Sequence, residues 1–154
     1  RAGFCRTPSL PFKFTNDFEN GTLSPGSYHS DSISRSYLKS IRFNATFSEG
    51  AGTPLWFFEF PLPFPTHADA RVYVHAPGGT GGAMLTCRIS RQGQTLFADS
   101  CSVDPFLQTG IAWNKVYRVF TFPADMPWDA TILVQIENPA GRVFFADDLK
   151  VVYY

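Results

Sequence analysis

Apolar and polar residues alternate with a period of two through most of the chain. Runs of this kind recur around 11–16, 37–47, 55–62, 70–76, 83–91, 95–103, 115–122, 130–137 and 143–153. Such alternation sets one face of a strand against a core and leaves the other toward solvent. No stretch keeps an apolar period of 3.6 over three turns, and twelve prolines and twelve glycines are scattered throughout, so no helix is expected. Turn chemistry separates the runs in "NGTLSPGS", "SEGAGTP", "PGGTGG" and "NPAGR". About nine short antiparallel strands in 154 residues describe an all-β fold, a β-sandwich or jelly roll. Residues 1–10, "RAGFCRTPSL", are expected to be flexible, and residues 11–154 to form one domain.

The same alternation assigns faces. In "ARVYVHA", Val72 and Val74 point inward, and Arg71, Tyr73 and His75 outward. In "AMLTCRIS", Leu85, Cys87 and Ile89 take the core side, leaving Met84, Thr86, Arg88 and Ser90 outside. In "TILVQIEN", Ile132, Val134 and Ile136 point in, while Leu133, Gln135 and Glu137 point out. The condition for a shared surface is that these strands neighbour one another in one sheet; "PGGTGG" reads as a hairpin turn. Tyr73, His75, Arg88, Gln135 and Glu137 would then share its outer face. Glu59 would join them if Trp56, Phe58 and Phe60 take the core side of their strand. Trp128, in the proline-bearing loop "DMPWDA", is the candidate for an exposed ring. The longest irregular piece after the start, "DPFLQTGIAWN" (104–114), is a loop of the kind on which function often sits.

The chain ends on "FFADDLKVVYY", where one phase groups Phe145, Asp147, Leu149 and Val151. A carboxylate on so apolar a strand needs a cation, an ion pair or several N–H donors. Asp17, Glu19 and Asn20 in "FTNDFENGTL" flank a turn that can present several oxygens, the ligand type calcium takes. A salt bridge or capping of backbone N–H groups is the alternative for Asp147.

Charge and cysteine narrow the setting. Thirteen basic and thirteen acidic residues cancel, so no basic excess exists to neutralise a polyanion such as nucleic acid. The longest apolar stretch, "PLWFFEFPLPF", is short and broken by Glu59 and prolines, too short to span a membrane. The sequence begins at Arg1 without a methionine or signal peptide, as expected of a processed or trimmed chain. Asn20-Gly21-Thr22 and Asn44-Ala45-Thr46 are glycosylation sequons for a secreted chain. Cys87 and Cys101 flank two strands around a Gln92-Gly93 turn, which places them for a cross-strand disulfide, with a pair of buried thiols as the alternative. Cys5 is left over, available to a partner or a larger parent chain. An extracellular setting follows.

The order of signals resembles a known family. An early "FENG" turn precedes "SYLKSIRF" and a strand ending "FEFPLPFP". Then come "ARVYVHAPGGTGGAMLTCRIS", a loop ending in Trp before "VYRVFTFPA", "ATILVQIENPAG" and the terminal "FFADDLKVVYY". Over roughly residues 12–153 this resembles the β-jelly-roll carbohydrate-binding modules of families four, nine and twenty-two, within the galactose-binding-like group. The resemblance implies a structural calcium joining Glu19 to Asp147, and a structural role for Trp113. It also implies that a concave sheet face binds glycan. This chain departs from the family where a Trp usually follows the first turn; it has "SPGSYHS" with Tyr28.

Tyr73, His75, Arg88, Gln135 and Glu137 suit that task, because sugars present C–H faces to rings and hydroxyls to donors and acceptors. Catalysis is not expected. His29, His67 and His75 lack metal-ligand spacing, and no nucleophile elbow or phosphate loop is present. A glycosidase pair of Glu59 and Glu137 would need a separation that the sequence does not fix. The expectation is a secreted, non-catalytic, lectin-like module binding carbohydrate on a sheet face or at its loop tips. The alternatives are an extracellular adhesion or assembly domain holding a protein partner, and an accessory domain of a larger glycan-active enzyme.

Overall fold

The computed structural model describes residues 12–16, 27–30, 40–43, 55–60, 64–123 and 125–154, with the backbone alone for 12–16, 27–30, 40–43, Trp56, Phe58 and none of the rest. Among these, ten strands form two antiparallel sheets, with single 3₁₀ turns as the only helical pieces. The strands are β1 (Phe12–Asn16), β2 (Ser27–Ser30), β3 (Ser40–Phe43), β4 (Leu55–Trp56), β5 (His67–His75), β6 (Met84–Arg91), β7 (Gln94–Ser102), β8 (Asn114–Thr121), β9 (Thr131–Glu137) and β10 (Phe144–Tyr153). One sheet runs β2-β3-β10-β5-β8, with β1 also paired to β10, and the other runs β4-β9-β6-β7.

The strand β5 shows why the sandwich closes. Its residues alternate strictly, so Ala68, Ala70, Val72 and Val74 are buried while His67, Asp69, Arg71, Tyr73 and His75 are half-buried on the far side. Leu85, Cys87 and Ile89 of β6 and Ile132, Val134 and Ile136 of β9 supply the facing layer. At one end of the core Phe57 is fully buried, its ring meeting those of Phe60, Phe64 and Phe122 at 5.8, 5.7 and 6.1 Å. Phe57 begins a 3₁₀ turn over Phe57–Glu59. The segment 55–62 is therefore not one strand with Trp56, Phe58 and Phe60 inside, as the alternation suggests, and Glu59 is exposed at the turn.

The strand β10 breaks its own phase. Asp147 stands opposite Tyr73 and Lys150 opposite Arg71, so two residues, Asp148 and Leu149, face the single Val72. This is a bulge, made by Asp148 at φ 52, a left-handed conformation that Asp tolerates better than most residues. Before it Phe144 and Ala146 enter the core; after it Leu149, Val151 and Tyr153 do. Asp147 therefore lies with Tyr73 on the side away from the core, not with Leu149 and Val151, yet it is fully buried. Its Oδ1 accepts a hydrogen bond from Asp148 N at 2.8 Å.

The β6–β7 hairpin turns through Gln92 (φ 50) and Gly93 (φ 77), the paired left-handed residues of a tight type I′ turn. An extra residue on β7 then shifts the register between Ile89↔Phe97 and Ser90↔Thr95. Cys87 consequently pairs with Asp99, and Cys101 with Leu85. The thiols share a face but sit on a diagonal, which spans roughly 7–8 Å. A disulfide needs Cβ atoms within roughly 3.5–4.5 Å. Both cysteines are free, and the expected bridge does not form.

Candidate functional site

The stretch "PGGTGG" is not a hairpin. It carries the chain from β5 in the six-stranded sheet to β6 in the four-stranded one. The outward residues of these two strands therefore lie on opposite faces of the sandwich. Tyr73 and His75 belong to one outer face, and Arg88, Gln135 and Glu137 to the other. The single five-residue face expected from the alternation does not exist.

On the four-stranded sheet three of the expected residues do meet. Gln135 donates from Nε2 to Glu137 Oε1 at 3.2 Å, and the Arg88 guanidinium lies 3.8 Å from the same oxygen. Thr86 Oγ1 donates to the Gln135 carbonyl at 3.4 Å. Register explains the geometry: Thr86 stands opposite Gln135 and Met84 opposite Glu137, while Arg88, opposite Leu133, reaches along the strand to its acid. Thr86, Arg88, Ala98, Ser100 and Glu137 line a shallow cleft of about 260 Å³. Gln135 is almost fully buried and fixes the floor, whereas Arg88 and Glu137 remain open to solvent. An ion pair this long and exposed is worth under about 1 kcal/mol, so its members can exchange partners with incoming hydroxyls at small cost.

The other expected pair lies apart. Tyr73 is half-buried, opposite Lys115 on β8 and Asp147 on β10. His75 is at the end of β5, its ring 5.5 Å from Trp113 and 5.9 Å from Phe145. Backbone register continues this row, with Arg42 opposite Phe145 and Tyr28 opposite Arg42. His75 also borders a cleft of about 500 Å³ between the 76–79 turn and the 104–114 loop.

Comparison with solved structures identifies the architecture. The second family-22 xylan-binding domain of Paenibacillus barcinonensis Xyn10C matches with a TM-score of 0.58 at 14% identity, over 92% of this chain and 99% of that one. A family-16 carbohydrate-binding module gives 0.53 at 13% identity, over 88% and 99%. A family-35 module from Clostridium thermocellum gives 0.51 at 16% identity, over 91% and 97%. The fold is that of these carbohydrate-binding modules. No protein-family model and no curated protein matches the chain.

Within this module fold the remaining expected residues are scattered. Trp128 is 63% exposed, in the loop before β9 at the end opposite the 104–114 loop. Trp113 is half-buried against His75. Trp56 stands opposite Thr131, whose strand carries Gln135 and Glu137. Asp17, Glu19, Asn20, Asn44, Cys5 and the 1–10 segment lie outside the described residues. The last residue of β1, Asn16, pairs with Leu149, two positions from Asp147, and Asp17 and Glu19 follow it in sequence. Among the described residues no cluster of three or more His, Cys, Asp or Glu could hold a metal ion. None of their helical segments is long and apolar enough to cross a membrane.

Alternation could not reveal two residues that shape the loop end. Asp104 accepts hydrogen bonds from Thr80 N at 2.8 Å, Thr80 Oγ1 at 2.6 Å and Gly82 N at 3.0 Å. Burial raises its carboxyl pKa, but these bonds and the nearby Arg142 outweigh burial and hold it below the usual carboxylate range. Asn114 is buried at the start of β8, where its amide clamps the 108–111 turn. An Asp-Pro pair at 104–105 and an Asn before an apolar strand are the only sequence signals for them.

Proposed function

We propose that the chain is a non-catalytic carbohydrate-binding module that holds glycan across the outer face of its four-stranded sheet. The observation that carries this reading is the hydrogen-bonded set of Arg88, Gln135 and Glu137 beside an open cleft. The guanidinium donates, the carboxylate accepts, and the buried Gln135 amide holds that carboxylate in place from Nε2. The exposed Trp128, in the loop before β9, is the ring proposed to stack on sugar C–H faces. The similarity of the whole fold to modules described as xylan-binding makes xylan the first ligand to test.

The finer reading is a secreted jelly roll with glycosylation at Asn20 and Asn44. Calcium would be a structural staple at Asp147, with Asp17 and Glu19 supplying further oxygens. Support for the staple is a fully buried carboxylate beside a bulge, close in register to where β1 runs into the acidic turn. Calcium there would supply charge neutralisation away from the ligand.

The test is affinity electrophoresis and calorimetry against soluble xylan, β-glucan, mannan and galactan, for the parent chain and for Arg88→Ala and Glu137→Ala. Both side chains are exposed enough for the variants to fold. Each variant is expected to weaken binding of the retained polysaccharide by about tenfold or more, about 1.4 kcal/mol. Unchanged affinity in both variants would remove the sheet face as the site.

A further inference from the structure

The connections 76–83, 103–113 and 138–143 all cross between the sheets at the same end of the sandwich, because β8 begins opposite the end of β5 and β9 ends opposite the start of β6. The cleft of about 500 Å³ lies between the first two. Its walls are unusually well fixed for loops. The His75 ring bonds the Ala112 carbonyl at 2.6 Å, and since a carbonyl only accepts, Nδ1 is the donor. The turn at 108–111 is closed by Ile111 N to Gln108 O at 3.2 Å, with Gly110 at φ 84. Inside that turn Asn114 accepts from Gln108 N at 3.1 Å and donates to Ile111 O at 3.2 Å. Asp104 ties the opposite wall to the 80–82 loop.

These internal bonds engage Asn114 and Asp104 and leave other groups open. Among the described residues, His75 Nε2, the Gln108 side-chain amide and the Thr109 hydroxyl take no protein hydrogen bond. With Nδ1 engaged by Ala112, His75 Nε2 is left for a ligand hydroxyl, Gln108 offers both roles, and Thr109 adds a hydroxyl. Leu107, Ile111 and Pro77 interleave apolar surface, and Ile111 is 51% exposed. No Lys or Arg lines the cleft, and its one carboxylate already accepts three hydrogen bonds from the protein. Phosphate or carboxylate ligands would find no cation. A neutral, polyhydroxylated ligand with apolar C–H faces fits each of these features.

We propose that this cleft is a second carbohydrate site, sized for one or two sugar rings and so for a chain end or short saccharide. It takes its ligand class from the sheet-face reading but none of its residues. Pre-formed walls mean that little ordering opposes binding, which is the condition for a small ligand to be held at all.

The test follows backbone amide resonances of the isotope-labelled full chain during titration with the methyl β-glycosides of xylose, glucose and galactose, and with xylohexaose. Single sugars are expected to bind with millimolar constants and to shift amides of 75–79 and 107–114. Thr109→Trp fills the cleft from an exposed position, and Gln108→Ala removes a free amide while keeping the bonded backbone N–H. Both are expected to weaken the loop response at least tenfold, and the Arg88→Ala/Glu137→Ala double variant to leave it unchanged. Loop amides that ignore every glycoside and the hexasaccharide would overturn the proposal, even if the sheet face responds. A loop response abolished by the double variant would overturn it too, since one site would then explain both. A loop response with a silent sheet face would support the cleft and remove the sheet-face reading instead.

Discussion

Replacing Asp104 by Ala should loosen the loop end by an amount the structure allows one to size. Thr80 is fully buried, and both its N–H and its hydroxyl end on Asp104 Oδ1, while its own Oγ1 accepts from Ala83 N at 3.0 Å. One carboxylate thus answers, directly or through Thr80, the N–H groups of residues 80, 82 and 83. In Asp104→Ala the Thr80 N–H is stranded without water, at a cost of about 1–3 kcal/mol. The Gly82 N–H is exposed and regains water, so its loss counts for little. With Asp104 partly exposed, the expected total stays within about 1–3 kcal/mol. At about 2–4 °C per kcal/mol for a domain of this size, the melting temperature should fall by about 2–12 °C. The pH dependence has a definite sign. A depressed folded-state pKa means the contribution is present above the unfolded carboxyl pKa of about 3.9 and is lost as pH falls through the lower folded value. Thermal melts by circular dichroism at neutral pH and near pH 3 measure both effects. A neutral-pH shift under about 1 °C, or a gap that widens on acidification, would refute the account.

Three further outcomes are expected. Non-reducing peptide mapping should find no Cys87–Cys101 link, and alkylation of the folded chain should reach Cys101 before Cys87, whose thiol is pushed up to about 12 by burial and then by Asp99; a linked peptide would contradict the register. Phe57→Ala should cost about 3–5 kcal/mol in urea unfolding, because it empties the centre of a four-ring cluster. If calcium sits at Asp147, EDTA should lower the melting temperature of the parent chain and leave Asp147→Ala unmoved, the ion contributing about 2.7 kcal/mol at a hundredfold excess over its dissociation constant; identical melts of the parent chain with and without EDTA would dismiss the staple.

Period-two patterning made the class and most core positions legible. β5 obeys it at every residue, its buried and half-buried positions alternating from His67 to His75. Departures occur where the backbone itself changes, and side-chain hydropathy carries no signal there. Asp148 at positive φ inverts the phase of β10, and the tight Gln92-Gly93 turn with one extra residue on β7 sets Cys87 opposite Asp99, two positions short of Cys101. The largest misreading came from one connection. A glycine-rich link serves equally as a hairpin turn or as a crossing between sheets, and only pairing partners distinguish them. Because "PGGTGG" crosses, Tyr73 and His75 left the company of Arg88, Gln135 and Glu137.

That crossing also separates the two proposed binding surfaces. The sheet-face set rests on a rigid floor but ends in an exposed ion pair at 3.8 Å, free to rearrange around a long ligand. The loop-end cleft is built in the opposite way, with mobile-looking loops locked from within by His75, Asn114 and Asp104. The clamps lie in the loops at the end of the sandwich and the Arg88 set on the outer face of the four-stranded sheet, and the two share no residue. Asp104→Ala, besides melting earlier, should therefore weaken small-glycoside shifts at 107–114 and leave polysaccharide affinity at Arg88 and Glu137 within about twofold. An equal loss at both surfaces would mean that the loops and the sheet face act as one site.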